Sequence, residues 1–342
     1  MQTLLDPAIL FFVFGALAGA LRSNLEIPSP VARFLSLYLL MALGLKGGFA
    51  LADAGLDASA LRAIGAAVLL AAAVPALGYA VLRRHVPPFD AVAVAASYGS
   101  VSAVTFVTTL QFLESQGLHA GGHMTVAMVL MESPAVVMAV LMAGALRHQA
   151  VSAAGLVPLA GGVAALRPGG GMAGLPAATS LGHVLREAFT DGAHLLLLGS
   201  LAIGVLSGDA GKAAMHPFTG DLFKGMLAFF LLDMGLMVAR NFGTARQQSP
   251  ALIVYALLGP LVHAAAALAL ALLLRLPAAD AALLMVLAAS ASYIVVPAVL
   301  RHAMPEANPS VYFGLSLGIT FPLNIVLGVP LYTQAARWAL GG

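Results

Sequence analysis

The chain has no cysteine in 342 residues, a single tryptophan, and only 9% charged residues. Without cysteine there are no disulfides and no thiolate chemistry, and the redox compartment cannot be read. The scarcity of charge excludes more. A soluble domain carries roughly 25% Asp, Glu, Lys and Arg, so this chain is not built for water on every side. Its net charge of +2 is too small to hold nucleic acid. The nine histidines form no HExxH and no close cluster, which argues against a metalloenzyme. The opening "MQTLLDPAILFFVF" lacks a basic n-region and reads as a first span rather than a cleaved signal peptide.

What is present is apolar: 61% of residues are hydrophobic and the mean hydropathy is +0.98. Runs near 20 residues recur, each long enough for a hydrocarbon core of about 30 Å. Ten spans are expected. The first five run Leu5–Leu21, Ala32–Ala52, Leu61–Leu82, Phe89–Leu113 and Met124–Leu146. The second five run His194–Leu206, Leu222–Val238, Ala251–Leu274, Ala278–Leu300 and Val311–Leu331. Between them lies a glycine-rich connector, 147–192, in which Leu181–Phe189 could form a short helix. Counting Lys and Arg puts ten on one side and five on the other, with Lys46 inside a span. That favours a cytoplasmic connector and both termini outside the plasma (inner) membrane.

The two halves echo each other. "YLLMALGLKGGF" aligns with "FFLLDMGLMVAR", Gly44 over Gly235, and "MESPAVV" aligns with "TFPLNIV", Pro134 over Pro322. The serine tracts "AASYGSVSAVTF" and "AASASYIVVPAV" lie about 193 to 195 residues apart if Ser97 or Tyr98 anchors the match. Five spans is an odd number, so the second half must enter the membrane from the opposite face. The expected fold is therefore an all-α polytopic protein of two inverted five-helix repeats, 1–146 and 193–342, with helices 4 and 9 broken.

Serine, glycine and proline at membrane depth fit such breaks. Gly99 would relax the backbone, and Pro297 would free the carbonyl of Tyr293. Two half-helix N-termini would then meet near the midplane as an anion site, with Ser97, Ser100, Ser102, Ser290 and Ser292 adding donors without charge. Close helix packing is the competing reading of small residues, and it is preferred for Gly15–Gly19 and Gly44–Gly48. Glu132, Thr320 and Asn324 offer oxygens for a hard cation such as Na⁺, beside carbonyls freed by Pro134 and Pro322. Alternatively, Glu132 is protonated or satisfies a helix end. Lys46 and Asp233 read as a structural ion pair, and His263 as a hydrogen-bonded core histidine. No in-span His or Lys is spaced to activate a serine, so a hydrolase is not expected.

"SYGSVSAVTF", "MESPAVV" and "ASASYIVVPAVLR" resemble the sodium-dependent bicarbonate transporter (SbtA-like) family over nearly the whole chain. The resemblance implies a gate domain from spans 1, 2, 6 and 7, a core domain from the rest, and a homotrimer whose core moves like an elevator. It implies bicarbonate held at Ser100, Val101, Ser102, Ala291, Ser292 and Tyr293, to which the residue reading adds Ser97 and Gly99. With the residue reading, it places co-transported Na⁺ at Ser102, Thr105, Glu132, Ser290, Tyr293, Thr320 and Asn324. Some family members are inhibited by a PII-like cytoplasmic regulator, which the resemblance adds as a partner. The expected function is Na⁺-coupled bicarbonate symport. The alternatives are symport of another small organic anion, Na⁺/H⁺ exchange through Glu132, or an anion sensor that does not transport.

Overall fold

The computed structural model describes residues 6–153, 157–159, 162–164, 192–293 and 295–341. Most helix starts are written locally. Asp6, Ser249 and Asn308 each accept a bond from a backbone N–H of the first turn, and each is followed by a proline whose missing N–H is not needed there. They open α1 (Pro7–Ala20), α9 (Pro250–Leu274) and α12 (Pro309–Leu340). Asp57 caps α3 (Ala58–Leu82) through the Ala60 N–H at 2.7 Å.

The remaining helices are α2 (Ser29–Ala54), α4 (Pro88–Gly99), α5 (Ala103–Ser115), α6 (His123–Ala153), α7 (Gly192–His216), α8 (Leu222–Arg246), α10 (Ala278–Ala289) and α11 (Val295–Ala303). Among the described residues the secondary structure is helical apart from two three-residue strands, β1 (Val157–Leu159) and β2 (Gly162–Ala164), paired antiparallel within the connector. Helix α6 runs on to Ala153, past the expected start of that connector. The Leu181–Phe189 helix lies outside the described residues. Among the described residues, seven helical stretches are long and apolar enough to cross a membrane, one of them the 52-residue Leu195–Arg246. Pro7–Ala20 and Ala278–Ala289 are shorter apolar helices.

Packing sorts the helices into two groups. Helix α1 lies along α8 and α2 along α7, in contacts close enough to need glycine. A Cβ at Gly15 would sit 2.2 Å from the Leu232 carbonyl oxygen, and one at Gly48 would sit 2.3 Å from that of Leu201. The packing role expected of these glycines is therefore what the structure shows. The second group joins α3 to α4 and α6, and α9 to α10. Helices α4 and α10 are its centre: residues 91–99 and 279–289 are buried without exception. A helix apolar all round and covered all round belongs inside a bundle.

Helix α12 carries two π-helical stretches, Ser316–Thr320 and Asn324–Gly328. Each is followed, after one residue, by a proline (Pro322, Pro330). Proline cannot donate the regular bond, and the residue just before it donates five back instead, Phe321 to Ser316 and Val329 to Asn324.

Candidate functional site

Two helices stop inside the second group. Helix α4 ends at Gly99, Ser100 is extended (φ −95°, ψ 168°), and Ser102 caps α5. The Ser102 hydroxyl accepts from the Thr105 N–H at 3.3 Å and from the Thr105 hydroxyl at 3.0 Å. Helix α10 ends at Ala289, Ser290 is extended (φ −79°, ψ 164°), and the Ser292 hydroxyl accepts from the Val296 N–H of α11 at 3.3 Å. Both α4 and α10 are 12 residues long, and both follow a proline. Their ends align Ser100-Val101-Ser102 with Ser290-Ala291-Ser292 at 190 residues, not the 193 to 195 expected from Ser97 or Tyr98.

The breaks are bonded to each other. The Ser292 N–H donates to the Ser97 carbonyl at 2.7 Å, and the Ser102 N–H donates to the Ser290 hydroxyl at 3.0 Å. That hydroxyl in turn donates to the Leu287 carbonyl at 2.9 Å. Backbone groups released at membrane depth need such partners, because lipid supplies none. The hydroxyls of Ser97 and Ser100 are buried with no partner among the described residues. The Tyr293 hydroxyl, beside Ser102, also lacks a partner in hydrogen-bonding geometry among the described residues.

Two details differ from expectation. Gly99 closes α4 without a positive φ. It is needed for space: a Cβ there would lie 2.4 to 2.6 Å from three ring atoms of Pro75 on α3. Pro297 sits in the first turn of α11, where no helical bond is lost, and Tyr293 lies outside any helix. The second break is therefore not made by proline freeing the Tyr293 carbonyl.

A cavity of about 70 Å³ of water-accessible space adjoins the breaks. Val101, Ser102, Glu132, Ser292 and Tyr293 line it, so five of the expected residues converge there. Helices α5 and α11 begin at these breaks, and each helix start carries roughly half a positive charge. Glu132, 9% exposed, is the acidic member of the wall.

The other expected cation ligands have different partners. The Thr320 hydroxyl donates to the Ala256 carbonyl at 2.9 Å and accepts from Tyr98 at 2.6 Å. Ala256 stands four residues before Pro260, so its carbonyl is the one that proline releases. The Asn324 amide donates to the Ala289 carbonyl at 2.8 Å and accepts from Tyr332 at 3.1 Å. Thr105 and Ser290 hold the breaks as described. His263 is a buried side chain of α9, and its Nδ1 has no partner among the described residues.

A family model described as the Na⁺-dependent bicarbonate transporter superfamily matches residues 7–337. The chain belongs to that superfamily. No curated protein matches it. Membership in a transporter superfamily, with helices of membrane-crossing length, makes this a membrane protein of a transport family rather than an enzyme family. Na⁺ enters as the ion on which the superfamily depends.

In this superfamily member Lys46 does not pair with Asp233. It pairs with Glu114 of α5 at 2.7 Å, over the Phe223 ring, while Asp233 has no ion-pair partner among the described residues. Besides Glu114, two acids escaped the sequence reading. Asp90 accepts from the Asn308 N–H at 2.8 Å, just before α12, and Asp280 accepts from the Gly121 N–H at 2.8 Å, just before α6. Asp280 also meets His123 at 3.1 Å. Each aspartate lies in the first turn of a buried helix and ties down an element of the other half. The signal was a Pro-x-x-Asp repeat, Pro87 to Asp90 and Pro277 to Asp280, at the same spacing of 190.

Proposed function

We propose that the chain is a secondary transporter that couples Na⁺ entry to bicarbonate uptake across the plasma membrane. The observation that carries the reading is the pair of serine-capped breaks, bonded to each other beside a cavity that also holds a carboxylate. Two helix starts attract an anion, and Ser97 and Ser100 have hydroxyls to spare. Glu132, with Ser102 and Tyr293, attracts the cation. An uncompensated charge at this depth is costly, so each ion favours binding of the other, and that mutual dependence is the coupling.

Ten spans in two inverted repeats agree with the architecture. The 52-residue stretch holds α7 and α8, and the short α10 continues past its break into α11. Equal helix lengths, the Ser-x-Ser match and the exchanged aspartate bonds support the repeat. On this reading α1, α2, α7 and α8 form the gate domain, the rest form the core, and the core moves like an elevator within a homotrimer. Both termini are outside. A PII-like regulator would act from the cytoplasmic side, where the connector lies.

The test is labelled-bicarbonate uptake into proteoliposomes at alkaline pH, with and without an inward Na⁺ gradient. Gradient-driven uptake that is lost in the Ser100→Ala/Ser292→Ala double variant is expected. Absence of uptake by a protein that still binds Na⁺ removes bicarbonate as the substrate. Glu132→Gln should weaken Na⁺ dependence more than anion affinity, and unchanged Na⁺ dependence removes Glu132 from the cation site.

A further inference from the structure

All but one of the polar members of the cavity wall come from one helix group. Ser102 lies at the first break, Ser292 and Tyr293 at the second, and Glu132 on α6. The other group contributes Leu39 and Leu40 of α2, Leu197 of α7 and Phe230 of α8, with Ser36 as its only hydroxyl on the wall. Leu39, Leu197 and Phe230 are buried.

Bicarbonate carries oxygen at all three corners. Two corners can face the serines and helix starts, but the third meets a wall with one hydroxyl among four hydrocarbon side chains. A buried oxygen without a partner is costly. A short carboxylate has a different shape of polarity, with two oxygens at one end and hydrocarbon at the other. Its charged end matches the breaks, and its methyl or ethyl group matches Leu39, Leu40, Leu197 and Phe230. The available space corresponds to about five to seven waters at roughly 10–15 Å³ each, which suits two to four carbons.

We propose that this cavity also takes short-chain monocarboxylates, acetate and propionate foremost, with Na⁺. The inference rests on the cavity being the substrate site of the transport reading above. Methylene groups in an apolar pocket discriminate by roughly tenfold or more each. Propionate should therefore compete better than formate by at least that factor.

The experiment measures initial rates of Na⁺-gradient-driven uptake of labelled bicarbonate, with unlabelled formate, acetate, propionate or butyrate as competitor. Direct uptake of labelled acetate is measured alongside, at alkaline pH to suppress leak of the free acids. Competition by acetate and propionate together with Na⁺-driven acetate uptake is the expected result. Na⁺-driven bicarbonate uptake that is untouched by a hundredfold excess of acetate and propionate overturns the inference and leaves the bicarbonate reading standing. Acetate uptake without bicarbonate uptake does the reverse, and uptake of neither overturns both. Leu39→Ala should lower the ratio of butyrate to acetate inhibition constants about tenfold, and the milder Phe230→Leu should lower it less. An unchanged ratio in both variants overturns the assignment of the apolar wall.

Discussion

Replacing Gly99 by alanine tests whether the first break depends on contact between α4 and α3. The new methyl carbon would lie 2.4 Å from Cγ, 2.5 Å from Cβ and 2.6 Å from Cδ of Pro75. Carbon atoms rest at about 3.5–4.0 Å, so the overlap is about 1 Å on three atoms at once. The prolyl ring is tied to its own backbone and cannot swing clear. The end of α4 must move instead, and Ser100 to Ser102 move with it. Overpacking of this kind costs about 1–3 kcal/mol. Part should appear as a lower melting temperature in detergent, and part as a raised KM for the transported anion, with tenfold in KM for each ~1.4 kcal/mol expressed in binding. Pro75→Gly removes all three clashing atoms and restores an N–H for the Ala71 carbonyl. In that background Gly99→Ala should cost at least ~1 kcal/mol less. Equal costs in both backgrounds, or a Gly99→Ala protein with wild-type melting and affinity, would refute the reasoning.

Other outcomes follow from the same contacts. Ser290→Ala strands the buried Ser102 N–H and should destabilise by about 1–3 kcal/mol. Ser100→Ala removes a hydroxyl without a protein partner, so it should leave melting unchanged and show only in uptake. Asp280→Ala strands the buried Gly121 N–H and removes the contact to His123, at a cost of about 1–3 kcal/mol. Asp90→Ala, at a more open position, should cost less in the same thermal melts. Lys46→Glu and Glu114→Lys should each raise labelling of a cysteine introduced at Gln111, in a chain with no cysteine of its own, and the double swap should restore it. Loss of that rescue would mean the pair does not hold α2 against α5. Arg147 bonds Glu306 through both carboxylate oxygens and holds that carboxyl below its ordinary range. The pair's contribution, about 1 kcal/mol or less, is present above the ordinary carboxylate pKa of about 4.3 and fades as pH falls through the depressed value. Melting of wild type and Glu306→Gln should therefore differ at neutral pH and converge in acid.

The helices were legible because their causes are local. Apolar runs set the lengths, and Asp6-Pro7, Ser249-Pro250 and Asn308-Pro309 mark starts within two residues. The serine tracts were legible as breaks for the same reason, since Ser102 and Ser292 cap the helices that follow them. What failed depends on partners distant in the chain. Gly99 looked like a flexible point, yet its reason is Pro75 on another helix. Pro297 looked like the breaker, but a proline costs a helix only past the first turn, and that turn begins at Val295. Lys46 advertises a need for an acid without saying which, and Glu114 lies nearer than Asp233 only once α2 is laid against α5. Thr320 shows the deepest case. It was expected to bind a cation beside Pro322, but Pro260 on α9 releases the Ala256 carbonyl, and the Thr320 hydroxyl satisfies it while accepting from Tyr98. A polar residue at membrane depth thus signals that something must be bonded. Whether that something is cargo or a carbonyl released by a neighbouring helix is decided by packing: Thr320 bonds the Ala256 carbonyl, whereas Glu132 stands on the cavity wall.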